Sequence, residues 1–400
     1  MIGNKKHIKH SFFLDLFFKD KCFPHFYKKI TNTFLNSDVY NCSNSNLNIN
    51  YSTYTVYDIP NYLVTEFIDS TSLKILTTQL YPGYIIDLTC FNNLEDYLNN
   101  HLGRPRKSQL KRYKKRLDLC INPTYKKFYG DISKDEYHLL FNQLKTITKH
   151  RFNQKEELNF ELPFLELYED IMYTLIRNKK ACIFAIYDKK KPINITLNFI
   201  DDETIFHWNS CYDIDYQMFN LGHINMINHL EWAFKNGFKL FDMSRGDFHH
   251  KRKYINKNYI YNQQIIYNAK SFSASIIAHL TVQKLKTRYA LIKILKKTNL
   301  HLWYGKYAKF KYLKVQSGKE KVVQKEIKVD FDILEIPEIK KLKQIDLLKN
   351  ENTFLVKPFN YFLYKNQEFV DNVKIYVDKN DNKIYYFKGI KKHQKVIITN

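Results

Sequence analysis

Two short stretches gather residue types that do chemistry. The first is Gln217-Met-Phe-Asn220-Leu221-Gly222-His223, at the head of a run with apolar residues at 221, 224, 227, 230 and 234. A turn that opens a helix presents backbone N–H groups without partners, and the aligned peptide dipoles favour a negative charge there. Gly allows close approach, and Asn is the residue that best tolerates left-handed angles after Gly. The chemistry this suggests is the binding of an anion such as a pyrophosphate; a plain helix start is the competing reading. The second stretch is Phe241-Asp-Met-Ser-Arg-Gly-Asp-Phe-His-His-Lys-Arg-Lys-Tyr254. Asp247 and His249 lie just past the carboxyl end of a strand, where open α/β sheets place ligand groups, so they are candidate bases. A solvated loop is the alternative for His249 and His250. Lys251, Arg252 and Lys253 are candidate phosphate ligands, Lys as a point charge and Arg as a bidentate fork. Asp242 and Arg245 either face a bound ligand or form an ion pair that braces the loop. Just upstream, His207 and Asn209 share a strand face opposite Trp208 and either line a cleft or satisfy each other. Tyr212, at that strand's end, is a candidate general acid or a packing residue.

The elements that must position these groups can be read in outline. Residues 1 to about 50 look irregular, with an Asn/Ser tract at 41–50. Aromatic and β-branched runs at 53–57, 62–67 and 84–88 suggest strands. A short helix is expected over 94–102 and a strongly basic one over 107–119. After a strand at 125–129, Ser133 with Glu136 three positions on forms a capping-box pattern for a helix reaching Lys149. Pro163 opens a further helix ending near Asn178. Strands at 181–187, 193–200 and 204–212 read as a meander, followed by the 221–234 helix, which Gly237 ends. A buried-type strand at 238–243, a strand at 259–267 and a long basic helix at 271–299 complete the central part. Beyond residue 329, short strands such as 374–377 and 383–387 suggest a small appended domain.

The chain has 400 residues, enough for two or three domains, with 44% hydrophobic and 26% charged residues, the balance of a soluble globular protein. The net charge is +24, and two acid-free segments carry all of it. Residues 104–116 hold eight Lys/Arg and residues 248–319 hold sixteen. Such clustering points to a phosphate-bearing ligand, an anionic membrane surface or nucleic acid, with a solvated helix face as the bland alternative. No zinc finger or RNA-reading aromatic motif supports specific nucleic-acid recognition. Six cysteines lack Cys-x-x-Cys spacing, so no structural zinc is expected, and reduced thiols in the cytoplasm are the simplest reading. No signal peptide and no transmembrane span are expected.

The order strand, two helices, meander, helix, strand, loop, strand over 125–267 resembles the GNAT acyltransferase fold. Gln217–Gly222 resembles the family's Q/R-x-x-G-x-G donor signature, with Asn220 at the first Gly. Phe241–Tyr254 resembles the FDFLRG-x-x-x-YK stretch of the BioF2-like or CelD-like branch, which is related to the FemAB family; Asp242, Arg245, Gly246, Asp247 and Lys251 fall on its positions, and His250 replaces its Tyr. Residues 102–119 resemble the branch's basic helix. The resemblance covers about 84–270. It implies an α/β (α+β) fold with two GNAT-like lobes, a mixed, mostly antiparallel sheet flanked by helices, and a small C-terminal appendage. The divisions expected are 1–120, a diverged lobe with the basic helix; 121–270, the acyltransferase domain; 271–319, a basic helical segment; and 320–400, an α+β appendage.

By the same resemblance, the chain is an N-acyltransferase. Acyl-CoA is the donor, held by backbone groups at Asn220, Leu221, Gly222 and His223, with Gln217 orienting the turn. The strand 206–212 would pair with the donor's pantetheine arm. From residue type and position rather than from the resemblance, Asp247, His249 and Tyr212 would move protons, and Asp242, Arg245, Lys251, Arg252, His207 and Asn209 would bind the acceptor. That acceptor is an amine on a phosphorylated or nucleotide-linked sugar or an envelope precursor. No metal is implied. FemAB relatives use aminoacyl-tRNA instead, and a non-catalytic basic surface binder is the third option. A peripheral position at the inner face of the membrane fits the same charge.

Overall fold

The computed structural model describes residues 7–42, 53–70, 72–246, 248–298, 301–316, 326–333, 336–347 and 349–399. The chain divides into two compact units, one of Met1–Cys90, Glu203–Phe206 and Phe238–Gly305, the other of Phe91–Asp202, His207–Gly237 and Lys306–Asn400.

In the first unit the main sheet runs in the order His7–Ser11, Thr53–Pro60, Lys257–Asn268, Leu73–Asp87, Leu240–Arg245. The first pair is parallel and the rest antiparallel. Residues Thr204–Phe206 then join Leu240–Asp242 in parallel register. A second sheet places Tyr27–Asn32 between Ser37–Asn41 and Leu63–Phe67. The expectation of an irregular first fifty residues is therefore corrected over 7–42. The aromatic run Phe12–Phe17 makes a π-helical turn, with Ser11 Oγ accepting the Leu14 N–H. Phe12, Phe13, Leu16 and Phe17 are all buried there, and Phe13 and Phe17 pack edge-on against Phe206. Apolar except for the exposed Asp15, the six residues are too short and too uniform to show a period of 2 or 3.6, so no pattern betrays them. The helix Phe272–Lys297 lies on this sheet through Ala274 and Ala278, which pack on Ile265 and Tyr267.

In the second unit Thr124–Phe128, Ala181–Asp188 and Lys191–Asp201 form an antiparallel meander that continues into the later part of the strand Thr204–Tyr212. Helices Arg104–Ile121, Lys134–Gln154, Leu162–Arg177 and Leu221–Lys235 accompany it. Ser133 Oγ caps Glu136 N–H at 3.2 Å, and Gly237 takes a left-handed φ of 73° just past the last helix, so both punctuation marks act as the sequence suggests. The C-terminal part adds a separate sheet in the order Glu326–Ile333, His393–Thr399, Ile384–Lys388, Lys374–Asp378, Leu342–Gln344. Its helix Val356–Asn366, unexpected although Val356, Phe359, Phe362 and Leu363 fall at helical spacing, shares one core with the basic helix: Phe359, Phe362 and Phe387 cluster with Leu117, Cys120, Phe219 and Leu221.

Candidate functional site

The turn before the helix Leu221–Lys235 belongs to the second unit. Asp213 caps the 3-10 turn Ile214–Phe219, and Phe219, wholly buried, anchors its end. Asn220 then takes φ 58° and ψ 42°, the left-handed conformation. It stands where the signature that this stretch resembles has its first Gly, and the Asn side chain satisfies itself locally by donating to Met218 O at 3.1 Å. The Gln217 carbonyl accepts the Asn220 N–H at 3.2 Å, so this residue shapes the turn through its backbone. The Asn220 carbonyl in turn takes the His223 N–H at 3.0 Å. Among the described residues, none accepts from the N–H of Leu221 or Gly222. A Cβ on Gly222 would meet nothing within 4 Å, so its backbone is open to an approaching group. The Arg106 guanidinium lies 3.2 Å from His223 Nδ1, and Tyr113 stacks on the His223 ring, which puts a fixed cation beside the helix start. Two backbone donors, a helix dipole and a guanidinium suit a pyrophosphate.

On the strand leading to that turn, His207, Asn209 and Tyr212 are half-buried. Asn209 Nδ2 donates to Glu161 Oε2 at 3.4 Å, while the His207 ring lies 5.6 Å from that of His229, so the two residues take different neighbours rather than each other. The Arg151 guanidinium sits 5.7 Å above the Tyr212 ring.

The 241–254 stretch belongs to the first unit. Asp242 is fully buried and accepts O–H groups from Tyr62 at 2.6 Å and Tyr259 at 2.8 Å, and the Ser244 N–H at 2.6 Å. Burial pushes its carboxyl up to about 6, against the pull of these donors. Arg245 does not pair with Asp242, which corrects the proposed brace: its guanidinium bonds Asp58 at 2.9 Å and the Tyr81 hydroxyl at 3.0 Å. The reason is geometric. Ser244 takes a left-handed φ of 60°, which turns Arg245 outward while Asp242 points into the core. Lys251 faces inward, its ammonium donating to Met243 O and Arg245 O at 2.6 Å each, and burial lowers it to about 8. It closes the loop. Arg252 lines an open cavity of about 770 Å³ with Asn61, Tyr84, Asn256, Asn258 and Tyr259. His249 is exposed at the start of the short helix His249–Arg252, and Asp247 lies outside the described residues.

Two groupings escaped the sequence reading. One is a buried polar ladder in the second unit: Asn194, Thr196 and Asn198 face Asn225 and His229, all 3% exposed or less. His229 Nδ1 donates to Asn225 O at 2.7 Å and its Nε2 accepts from Asn198 Nδ2 at 3.1 Å, which keeps the ring neutral; burial lowers it to about 4. Period-2 spacing in the strand and i, i+4 spacing in the helix are the signals that could have found it. The other is His150, Asp213 and Asp215, whose ligand atoms lie within 4.8 Å of one another. Asp213 is held by the Lys191 ammonium at 2.7 Å. Burial and the neighbouring Asp213 raise the Asp215 carboxyl.

Residues 104–252 match the family model described as an acetyltransferase (GNAT) domain. No curated protein sequence matches the chain significantly. Among solved structures, L-PGS from Bacillus licheniformis is 14% identical over 59% of this chain and 74% of its own, with a TM-score of 0.35. FemX is 10% identical over 57% and 75%, with a TM-score of 0.40. A tandem GNAT protein from the clavulanic acid biosynthesis pathway is 11% identical over 54% and 64%, with a TM-score of 0.32.

Proposed function

We propose, from the match of residues 104–252 to the GNAT acetyltransferase domain, that the chain is an acyltransferase that moves an acyl group from acyl-CoA to an amine on a phosphorylated or nucleotide-linked sugar or an envelope precursor. The observation that carries the donor reading is the turn at 217–223. Asn220 supplies the left-handed corner, and Leu221 and Gly222 present backbone N–H groups beside Arg106. When bound, acyl-CoA supplies a thioester carbonyl already activated for attack. The chain's share of the work is to hold the donor phosphates, keep the acceptor amine neutral and return a proton to the leaving sulfur. In the first unit Asp247 and His249 are the proposed bases and Arg252 a proposed acceptor ligand, on a loop that Asp242, Arg245 and Lys251 are proposed to shape; in the second unit Tyr212 is the proposed acid, and His207 and Asn209 are proposed acceptor ligands. No step is assigned to a metal.

Gly222→Glu tests the reading. Its Cβ enters open space, and an acid in the first helical turn suits the dipole, so the fold should keep its stability. The same carboxylate opposes a pyrophosphate. Expected are a thermal shift with acetyl-CoA in the parent chain and an affinity loss of at least about 10-fold in the variant. A shift of equal size in both would remove the turn from the donor site. The second reading, an aminoacyl-tRNA donor, is favoured only by Asn in place of the first Gly. It predicts transfer of a labelled amino acid that RNase abolishes.

A further inference from the structure

The helix Phe272–Lys297 shows two contrasting faces. Toward the sheet it offers Ala274, Ala278 and Val282, which pack against Ile265, Tyr267 and Leu76. Away from it run Phe272, Ile276, Leu280, Gln283, Thr287, Leu291 and Ile294, spaced by three or four residues and all exposed. Phe272 is 81% exposed, Leu280 64% and Ile294 58%, far more than isolated surface apolar residues need. At 3.6 residues per turn these positions form one stripe. Lys286, Lys293 and Lys297 flank it on one side and Lys284 and Arg288 on the other, all exposed. The helix carries six Lys/Arg and no acid. Five of the stripe's seven residues are apolar, with the uncharged Gln283 and Thr287 between them. Such a charge-free, mainly apolar stripe with basic shoulders is the pattern of a helix lying in a lipid interface, where long cationic side chains reach back to the headgroups. No described helix is long and apolar enough to cross a membrane, so the geometry is that of lying on one.

We propose that the outer face of Phe272–Lys297 docks the protein on an anionic lipid bilayer, the apolar stripe entering the interface and the lysines meeting acidic headgroups. Charge complementarity selects this occupant. A second copy of the chain would bring another acid-free helix against the first, and like charges would face one another. The proposal does not depend on the identity of the acyl donor.

The test is co-sedimentation of the full chain with vesicles of phosphatidylcholine alone and of seven parts phosphatidylcholine to three parts phosphatidylglycerol. Binding to the mixed vesicles should be at least about 10-fold tighter, and high salt should weaken it. Two variants separate the contributions: Phe272→Ser/Ile276→Ser/Leu280→Ser and Lys286→Gln/Lys293→Gln/Lys297→Gln. Each should bind the mixed vesicles at least about 5-fold more weakly while melting at the parent temperature, because every altered side chain is exposed. Equal binding to both vesicle types, or binding unchanged in both variants, overturns the proposal. So does a parent dimer in analytical ultracentrifugation that the serine variant alone converts to monomer, which would assign the face to a second copy. The acetyl-CoA thermal shift, measured on the same samples, reports separately on the donor site.

Discussion

Two buried ionisable residues set opposing demands on the stability of this chain. Asp242 rises from 3.8 to about 6 because burial disfavours its charge. Its proton is therefore held more tightly in the folded state, and its contribution is fully present below the unfolded value and lost as pH climbs through the folded one. Two units amount to about 3 kcal/mol. His229 moves the other way, from 6.5 to about 4, also through burial. Its contribution is present above the unfolded value and lost as pH falls through the folded one, again by about 3 kcal/mol. In the parent chain the two effects nearly cancel between about pH 4 and pH 6.5. Single variants should unmask them. Asp242→Asn keeps an acceptor for Tyr62 and Tyr259, so its stability relative to the parent should rise with pH across that window. His229→Gln should show the reverse. Urea unfolding at both ends of the window measures each; variant and parent curves that run parallel would refute the buried-charge assignments. The Phe241–Tyr254 motif itself stands out in the sequence. What each residue binds does not, because Tyr62 lies 180 positions from Asp242 and Asp58 lies 187 from Arg245.

Across elements, the partner that holds Asp242 depends on a strand with no side chain at one point. Gly83 pairs with Tyr259 across the strands Leu73–Asp87 and Lys257–Asn268, and a Cβ there would clash with the Tyr259 ring, most closely at its Cζ. The missing side chain thus makes room for the ring whose hydroxyl reaches Asp242. Gly83→Ala should displace Tyr259, leave Asp242 short of a donor and cost about 3 kcal/mol or more. Tyr259→Ala removes the clash, so the double variant should be no less stable than Tyr259→Ala alone. Additive losses in denaturant unfolding would show that Gly83 matters for another reason. The same distinction governs what is legible at this scale. The helices at 133–149 and 221–234 carry their own caps and periodicity, and the meander strands their own turns, so local sequence suffices. The strand His7–Ser11 exists because Thr53–Pro60 offers it an edge, and the Phe12–Phe17 turn because Phe206 and its neighbours bury it. Neither cause is local. The Gln217–Gly222 turn was legible because its left-handed corner requires a particular residue type, and Asn220 supplies it.

For the molecule as a whole, the charge that the sequence confines to two segments is put to different uses. In the helix Arg104–Ile121, Arg106 reaches His223, Lys107 bonds Glu95 and Asn99, and Arg116 lies 4.9 Å over the Tyr364 ring. These cations hold structure or border the turn at 217–223 that is proposed to hold the donor. Lys111, Arg112 and Lys115 are exposed further along, about 7 to 14 Å of helix away from Arg106. A compact donor seated at 217–223 needs only the Arg106 end, whereas a tRNA would extend over the rest. The variant Lys111→Gln/Arg112→Gln/Lys115→Gln therefore separates the two donors. With acyl-CoA, affinity should change by less than about 2-fold, because exposed charges at that range are screened at physiological salt. With tRNA, three lost phosphate contacts should flatten the dependence of log affinity on log salt by about 2 to 3. Titrating acetyl-CoA and charged tRNA against parent and variant at several salt concentrations gives both quantities. A flattened tRNA slope, together with transfer that RNase abolishes, would move the chain to the aminoacyl-tRNA reading. An unchanged acetyl-CoA affinity, with weak tRNA binding that the variant leaves as it was, would keep the donor site at the turn and the exposed lysines out of it.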